Sequence, residues 1–212
     1  VTSDRPRPTS HGVQDGHRRP DHLDDQRPDQ RPDQRPDQHD DRHDRHDHAT
    51  EPIDPARYRQ AMGRFASGVA VATSVWRGHD VALTVDTVTS VSLDPVLLLV
   101  SLHGEARVLE GLQAGGPLGL SVLTARQRGL AEWLGETGRP LHGQLARIPH
   151  ERGPVTGVAL LTGVLASFEC RTYALHEAGD HVIAVVEVVG MRAGPTDEPG
   201  LVHYRGRLGE LR

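Results

Sequence analysis

Apolar residues are spread unevenly along this chain. The first fifty positions hold almost none, whereas from Ile53 onward Val, Leu, Ala and Gly dominate. In that second stretch the apolar runs are short and bounded by turn residues, which is the pattern of strands. Asp54-Pro55 reads as a helix start, an N-cap acid followed by proline at the first helical position. Tyr58, Met62 and Phe65 then recur at helical spacing and are expected to face the core, with Arg57, Arg59 and Arg64 towards water. Ser67-Gly68 ends that helix. Val69 to Trp76 alternates as a strand, residues 77–80 (Arg-Gly-His-Asp) form a hairpin turn, and Val81 to Val85 is the next strand. Val96 to Leu102 is an unbroken apolar run, the mark of a fully buried strand.

Further along, Glu105 to Gln113 suits a short helix and Leu118 to Leu123 a strand. Thr124 can cap a helix over residues 125–134, with Leu130, Trp133 and Leu134 on its inner face. Residues 135–153 are polar and glycine-rich, a loop. Val158 to Tyr173 is a long β run, bent or paired in two pieces around Gly163, residues 177–180 are a turn, His181 to Val189 is a strand, and Leu201 to Tyr204 is a terminal strand. Six or seven strands with two or three short helices point to a β-barrel decorated by helices. Helix and strand do not alternate regularly enough for a doubly wound sheet, and no glycine-rich dinucleotide or nucleotide fingerprint follows a strand.

Composition separates the first part from the rest. Residues 25–38 repeat the tetrapeptide Asp-Gln-Arg-Pro and run into a tract with His39, His43, His46 and His48. With almost nothing apolar, residues 1–52 cannot offset their ordering entropy by burial and are expected to be a disordered tail ahead of one domain, residues 53–212. The tract is either a solvated extension, an over-long gene start whose true beginning lies nearer Ile53, or a weak His/Asp metal-binding tail. A formal net charge of −5 argues against nonspecific nucleic-acid binding. All the basic residues are Arg, and Lys and Asn are absent. The single cysteine, Cys170, excludes an internal disulfide and a multi-cysteine metal site, and is expected to be a small buried hydrophobe. No apolar run is long enough for a membrane helix and no secretory leader is visible, so the expected location is the cytoplasm.

The stretch that resists a purely structural explanation is residues 82–100. Thr84, Thr87, Thr89, Ser90 and Ser92 crowd ahead of the turn at Asp94-Pro95 and the buried run. Five hydroxyls entering a buried strand need partners if they are covered, and a ligand rich in donors and acceptors can supply them.

This segment resembles the signature of the flavin reductase-like family of split barrels, whose Thr-Ser-Val-Ser-Leu-Asp-Pro core is matched by residues 89–95. Other blocks follow in the family's order: residues 62–69 (Met-Gly-Arg-Phe-Ala-Ser-Gly-Val), residues 118–127, Gly179-Asp180-His181, and residues 201–207 (Leu-Val-His-Tyr-Arg-Gly-Arg). The resemblance spans Tyr58 to the C-terminus. It implies a mainly β fold with short helices, an FMN-binding split β-barrel preceded by a disordered N-terminal tail. It implies hydride transfer from NADH or NADPH to FMN or FAD, and delivery of reduced flavin to a partner monooxygenase. Family members are commonly homodimers with the flavin near the subunit interface.

By the same resemblance, Thr84, Val85, Asp86, Thr87, Ser90, Val91, Ser92, Gly179 and Asp180 are expected to hold the flavin. His181 positions nicotinamide or flavin edge, Arg107 can serve the phosphate, and no metal is required. Three positions depart from the pattern: Asp86 and Ser121 stand where Asn is usual, and Val108 where Thr is usual. Two other readings remain open from the residues: a flavin carrier of this fold without nicotinamide turnover, and a plain β-barrel interaction module whose hydroxyls only satisfy local turns.

Overall fold

The structure is a computed structural model and describes residues 51–140 and 142–211. The chain divides into units Val1–Ala49 and Thr50–Arg212, and the described residues fall in the second. The expected tail and its histidine tract lie outside the described residues.

Helix α1 (Pro55–Met62) starts as the sequence dictates, with the Asp54 carboxylate accepting from the Ala56 amide at 3.0 Å. β1 (Ser67–Gly68) and β2 (Ala70–Trp76) follow, and a two-residue turn leads into β3 (His79–Val85). Arg77 and Gly78 both have positive φ, 49° and 79°, the backbone that a tight hairpin with twisted arms requires. β4 (Val88–Leu93) and β5 (Val96–His103) form the next hairpin, then α2 (Arg107–Gln113) and β6 (Leu118–Val122). Thr124 and Gln127 make a reciprocal cap on a single 3-10 turn, after which α3 (Arg128–Gly135) begins. The expected long strand breaks at Gly163 into β8 (Ala159–Leu161) and β9 (Ala166–Ala178), with β7 (His150–Arg152) paired to β8. β10 (His181–Ala193), β11 (Gly200–Tyr204) and β12 (Arg207–Leu211) complete the chain.

The main sheet has seven strands in the order β3-β2-β6-β9-β10-β5-β4. Its two edges, β3 and β4, are consecutive in the chain, so the sheet curls round without closing, as a split barrel does. One core cluster fills its interior with Val81, Val100, Leu102, Leu118, Leu120, Cys170, Ala184 and Val186, sealed by Val108, Leu109 and Leu112 of α2. Gly111 lets α2 approach β2, because a Cβ there would lie 2.5 Å from Ser74 Oγ and 2.9 Å from the Val75 carbonyl. A second cluster packs Ala131 and Leu134 of α3 against Val69, Val71, Leu161 and Leu201.

Three expectations are corrected. The stripe on α1 is not core: no α1 residue is buried, and Tyr58, Met62 and Phe65 are 57%, 49% and 73% exposed. Helical spacing fixes which side chains share a face, not whether that face finds a partner within its own chain. The C-terminal strand continues through a positive-φ turn at Arg205-Gly206 into β12, which was not foreseen. Among the described residues twelve strands, several of them short, replace the expected six or seven.

Candidate functional site

β3 is where the chemistry gathers. Thr84, Val85 and Asp86, at its end, line a cleft of about 740 Å³ together with Arg128, Glu132 and Glu136 of the α3 region and His203 and Arg207 of the β11–β12 hairpin. Farther back along the same strand, Ala82 and Leu83 line a second cleft of about 460 Å³ with His103, Glu105, Arg107 and Arg139. Glu136 borders both. An apolar groove of about 500 Å³ between Leu130, Trp133 and Ile148 holds none of the expected site residues.

Within the first cleft the polar groups are tied to the scaffold. The Thr84 hydroxyl donates to the Ala131 carbonyl at 2.7 Å and so fixes β3 to α3. Asp86 Oδ2 lies 2.8 Å from His203 Nδ1, joining positions 117 residues apart. Thr87 Oγ1 donates to the Ser101 carbonyl and accepts from the Ser101 amide, bracing the connection between β3 and β4 against β5.

The hydroxyl segment itself forms β4, an edge strand. Its pairing with β5 slips between Ser90 and Ser92, leaving Val91 as the extra residue of a bulge. Ser92 Oγ accepts from the Asp94 amide at 3.2 Å, whereas the Ser90 side chain makes no hydrogen bond among the described residues. Val91, Leu93 and Val96 around it are 49%, 85% and 46% exposed.

On the other side of β5, His181 pairs with His103 in register, and their rings meet edge to face at 5.3 Å between centroids. Gly179 takes φ 67° in the two-residue turn ahead of it. His181 Nδ1 sits 2.7 Å from Asp180 Oδ1, and that hydrogen bond, then the imidazole charge, holds the Asp180 carboxyl below the usual carboxylate range. The Gly104 amide donates to the Asp180 carbonyl at 2.9 Å, stitching this turn to the loop that precedes α2.

The expected residues therefore fall into three groups around β3 and β5 rather than one enclosed cavity. Thr84, Val85 and Asp86 share the larger cleft. Arg107 lies in the smaller one, which reaches Asp180 and His181 through His103. Ser90, Val91 and Ser92 lie on the open edge of β4. Arg107 is already engaged: its guanidinium pairs with Glu110 and stacks 4.9 Å from the Trp76 ring centre, while Trp76 Nε1 donates to Glu110 at 2.6 Å. Val108, where the family pattern has Thr, is 1% exposed and belongs to the core. Ser121 is also buried, its hydroxyl accepting from the Leu161 amide at 3.0 Å. Sequence reasoning missed His103, Arg128, Glu136, His203 and Arg207. His203 and Arg207 sit in a recognised block, but nothing in the sequence shows that His203 reaches Asp86.

The donor set suits a flat heterocycle bearing carbonyls, ring nitrogens and an anionic tail. Arg128 and Arg207 offer donors and positive charge, the imidazole of His203 a ring nitrogen, the free hydroxyl of Ser90 a neutral donor, and the exposed apolar residues of β4 a surface for a ring.

Residues 62–212 match the model of the flavin reductase like domain. The NADH-dependent FMN reductase AsuE2 of Streptomyces nodosus subsp. asukaensis is 38% identical over 169 residues, 78% of this chain and 89% of the relative. Among solved structures, BorF, the flavin reductase component of a bacterial two-component tryptophan halogenase, superposes with a TM-score of 0.70 at 35% identity, covering 74% of this chain and 98% of that one. The Streptomyces globisporus NADH:FAD oxidoreductase SgcE6, in complex with NAD and FAD fragments, gives a TM-score of 0.69 at 30% identity, covering 76% of this chain and 97% of that one. With its strand order, its hydroxyl-rich edge strand and these likenesses together, the chain belongs to the flavin reductase-like domain family.

Proposed function

We propose that this protein is an NAD(P)H:flavin oxidoreductase that reduces FMN or FAD and supplies reduced flavin to a partner monooxygenase. The observation that carries the reading is the run of two adjoining clefts along β3, one lined by Thr84, Val85 and Asp86 and the other by His103 and Arg107. The matched relatives, named as NADH-dependent FMN and FAD reductases and as reductase components, support it. The catalytic unit is residues 53–212.

The flavin supplies the hydride acceptor, and the protein contributes binding, orientation and exclusion of side reactions. Thr84, Val85 and Asp86 form the wall against which the ring system lies, with Thr87 behind them and Ser90, Val91 and Ser92 joining from the open edge of β4 once a second copy covers it. Their rigidity comes from the Thr84–Ala131 and Thr87–Ser101 hydrogen bonds. His181, oriented by Asp180 and backed by His103, positions the nicotinamide; Gly179 gives the tight turn that brings it to the end of β5. Arg107 serves the phosphate only by exchanging its contact with Glu110. No side chain need transfer a proton for hydride to move.

The active form is a homodimer. Ser90 to Ser92 lie on an open edge among exposed Val91, Leu93 and Val96, and α1 with the turn after it presents Tyr58, Met62 and Phe65, so a second copy completes the site that a single chain leaves open. The place of action is the cytoplasm; among the described residues no helix is long and apolar enough to cross a membrane.

The test is to purify the full chain, add FMN or FAD, and follow NADH and NADPH oxidation by absorbance. Turnover supports the proposal. Flavin binding without turnover selects the carrier reading. Neither binding nor turnover leaves an interaction module.

A further inference from the structure

Building on the oxidoreductase reading, we infer that Asp86, held in place by His203, makes the larger cleft prefer oxidised over reduced flavin and so drives release of the product. Three carboxylates (Asp86, Glu132 and Glu136) and two guanidiniums (Arg128 and Arg207) line this cleft with His203. Arg128 is paired with Glu132 at 2.9 Å. Arg139, in the adjoining cleft, acts on Glu136, so Asp86 is the cleft carboxylate whose ion-pair partner among the described residues is an imidazole, His203, and not a guanidinium. This carboxylate sits at the end of β3, where it follows directly on Thr84 and Val85 in the same cleft.

The His203 contact fixes that charge without cancelling it. A neutral imidazole whose Nδ1–H donates to Asp86 Oδ2 at 2.8 Å orients the carboxylate, and its Nε2 is then an acceptor rather than a donor. Both side chains are partly covered, 37% exposed for His203 and 41% for Asp86, so the field is not fully screened by water.

Hydride transfer changes what this field acts on. Two electrons and one proton leave the dihydronicotinamide together, so nicotinamide becomes a cation and the formerly neutral isoalloxazine gains a negative charge. A fixed carboxylate then disfavours the reduced ring while leaving the oxidised ring largely unaffected. Binding preference and reduction potential are linked, so the same preference makes bound flavin harder to reduce than the same flavin bound without that charge. Asp86, a carboxylate where the family pattern has the neutral amide, thus suits a reductase that hands its product on rather than one that keeps it.

The experiment is an anaerobic titration of the full chain with FMN and with chemically reduced FMN, giving two dissociation constants. Wild type is expected to bind reduced flavin more weakly than oxidised. Asp86→Asn keeps an acceptor for His203 and removes the charge. It should lower the ratio of reduced to oxidised dissociation constants about tenfold, equivalent to a midpoint potential about 30 mV more positive for this two-electron couple. Asp86→Glu should retain the wild-type ratio. A ratio unchanged in Asp86→Asn, or shifted equally by Asn and Glu, overturns the inference. If Asp86→Asn does not fold, the wild-type ratio is measured in rising salt: it should fall as the charge is screened, and a salt-independent ratio overturns the inference too. Wild type that binds neither form removes the oxidoreductase reading itself, and this inference with it.

Discussion

His181 faces His103 across paired strands, edge to face at 5.3 Å, with the Asp180 carboxylate closing on His181 Nδ1 at 2.7 Å. Each of the two neighbours restricts the imidazole, one by packing and one by a hydrogen bond. His181→Ala should therefore lower kcat by about ten- to a hundredfold through loss of nicotinamide orientation, with the flavin dissociation constant changed less than about twofold. His103→Ala, which removes only the backing ring, should give a smaller loss. Steady-state kinetics beside a flavin titration checks both, and unchanged turnover in His181→Ala would remove that residue from the site.

A buried carboxylate away from the clefts governs stability. Glu169 is 2% exposed and accepts from the Val155 amide at 3.0 Å, the Thr156 amide at 2.6 Å and the Thr156 hydroxyl at 2.7 Å. It replaces water around an ionised group and pins residues 155–156 to β9. Glu169→Ala should cost about 3 kcal/mol, lowering Tm by roughly 6–12 °C for a domain of this size. At Gly153 a Cβ would overlap the Glu169 carboxyl group, so Gly153→Ala should destabilise by displacing the same carboxylate. The double variant should be less unstable than the two losses added, because both act on one contact. Thermal unfolding of the four proteins checks this.

Cys170 has no exposed surface, and burial first, then the neighbouring Glu169 charge, pushes its thiol up to about 12. The native thiol should be unreactive towards a disulfide reagent at pH 8. A group whose folded value is raised contributes fully below its unfolded value and less above it. From about pH 9 towards pH 12 the unfolded chain should therefore ionise first, costing roughly 1.4 kcal/mol of stability per pH unit. Cys170→Ala should show a shallower alkaline loss in chemical denaturation.

Leu93, 85% exposed beside the β4–β5 turn, tests the assembly. In the proposed homodimer, Leu93→Asp should shift the protein from dimer to monomer in sedimentation and weaken flavin binding at the same time, since the edge carrying Ser90 to Ser92 would lose its cover. A variant that remains dimeric with unaltered flavin affinity would place the interface elsewhere.

Much of this was legible in the residues. Arg77-Gly78 and Gly179-Asp180 mark hairpins because tight turns need particular backbone angles, and Thr124 with Gln127 marks a helix start because capping is local. The Thr-Ser-Val-Ser-Leu-Asp-Pro run stood out because so many hydroxyls beside a buried strand have no cheap structural explanation. What stayed hidden is non-local. β12 reads Arg-Leu-Gly-Glu-Leu, too polar to announce a strand, and exists because β11 offers it an edge. Glu169 lies inside an apolar run and shows no sign of the two amides that meet it. Asp86 and His203 are brought together only by the return of the C-terminal hairpin. The Tyr58, Met62 and Phe65 stripe has helical spacing in either case, and spacing does not say which chain covers it.

Ala82, on β3, is engaged on both sides of its peptide unit: its amide donates to Gln144 Oε1 at 2.9 Å and its carbonyl accepts from Arg139 at 3.1 Å. Side chains thus occupy hydrogen-bonding positions where another strand would otherwise attach, and one rim of the seven-stranded sheet is blunted against further growth. The opposite rim, β4, has no such guard among the described residues. For the proposed homodimer this sets a direction: pairing through the sheets would be confined to one rim and would stop there, a closed pair in place of an endless ribbon.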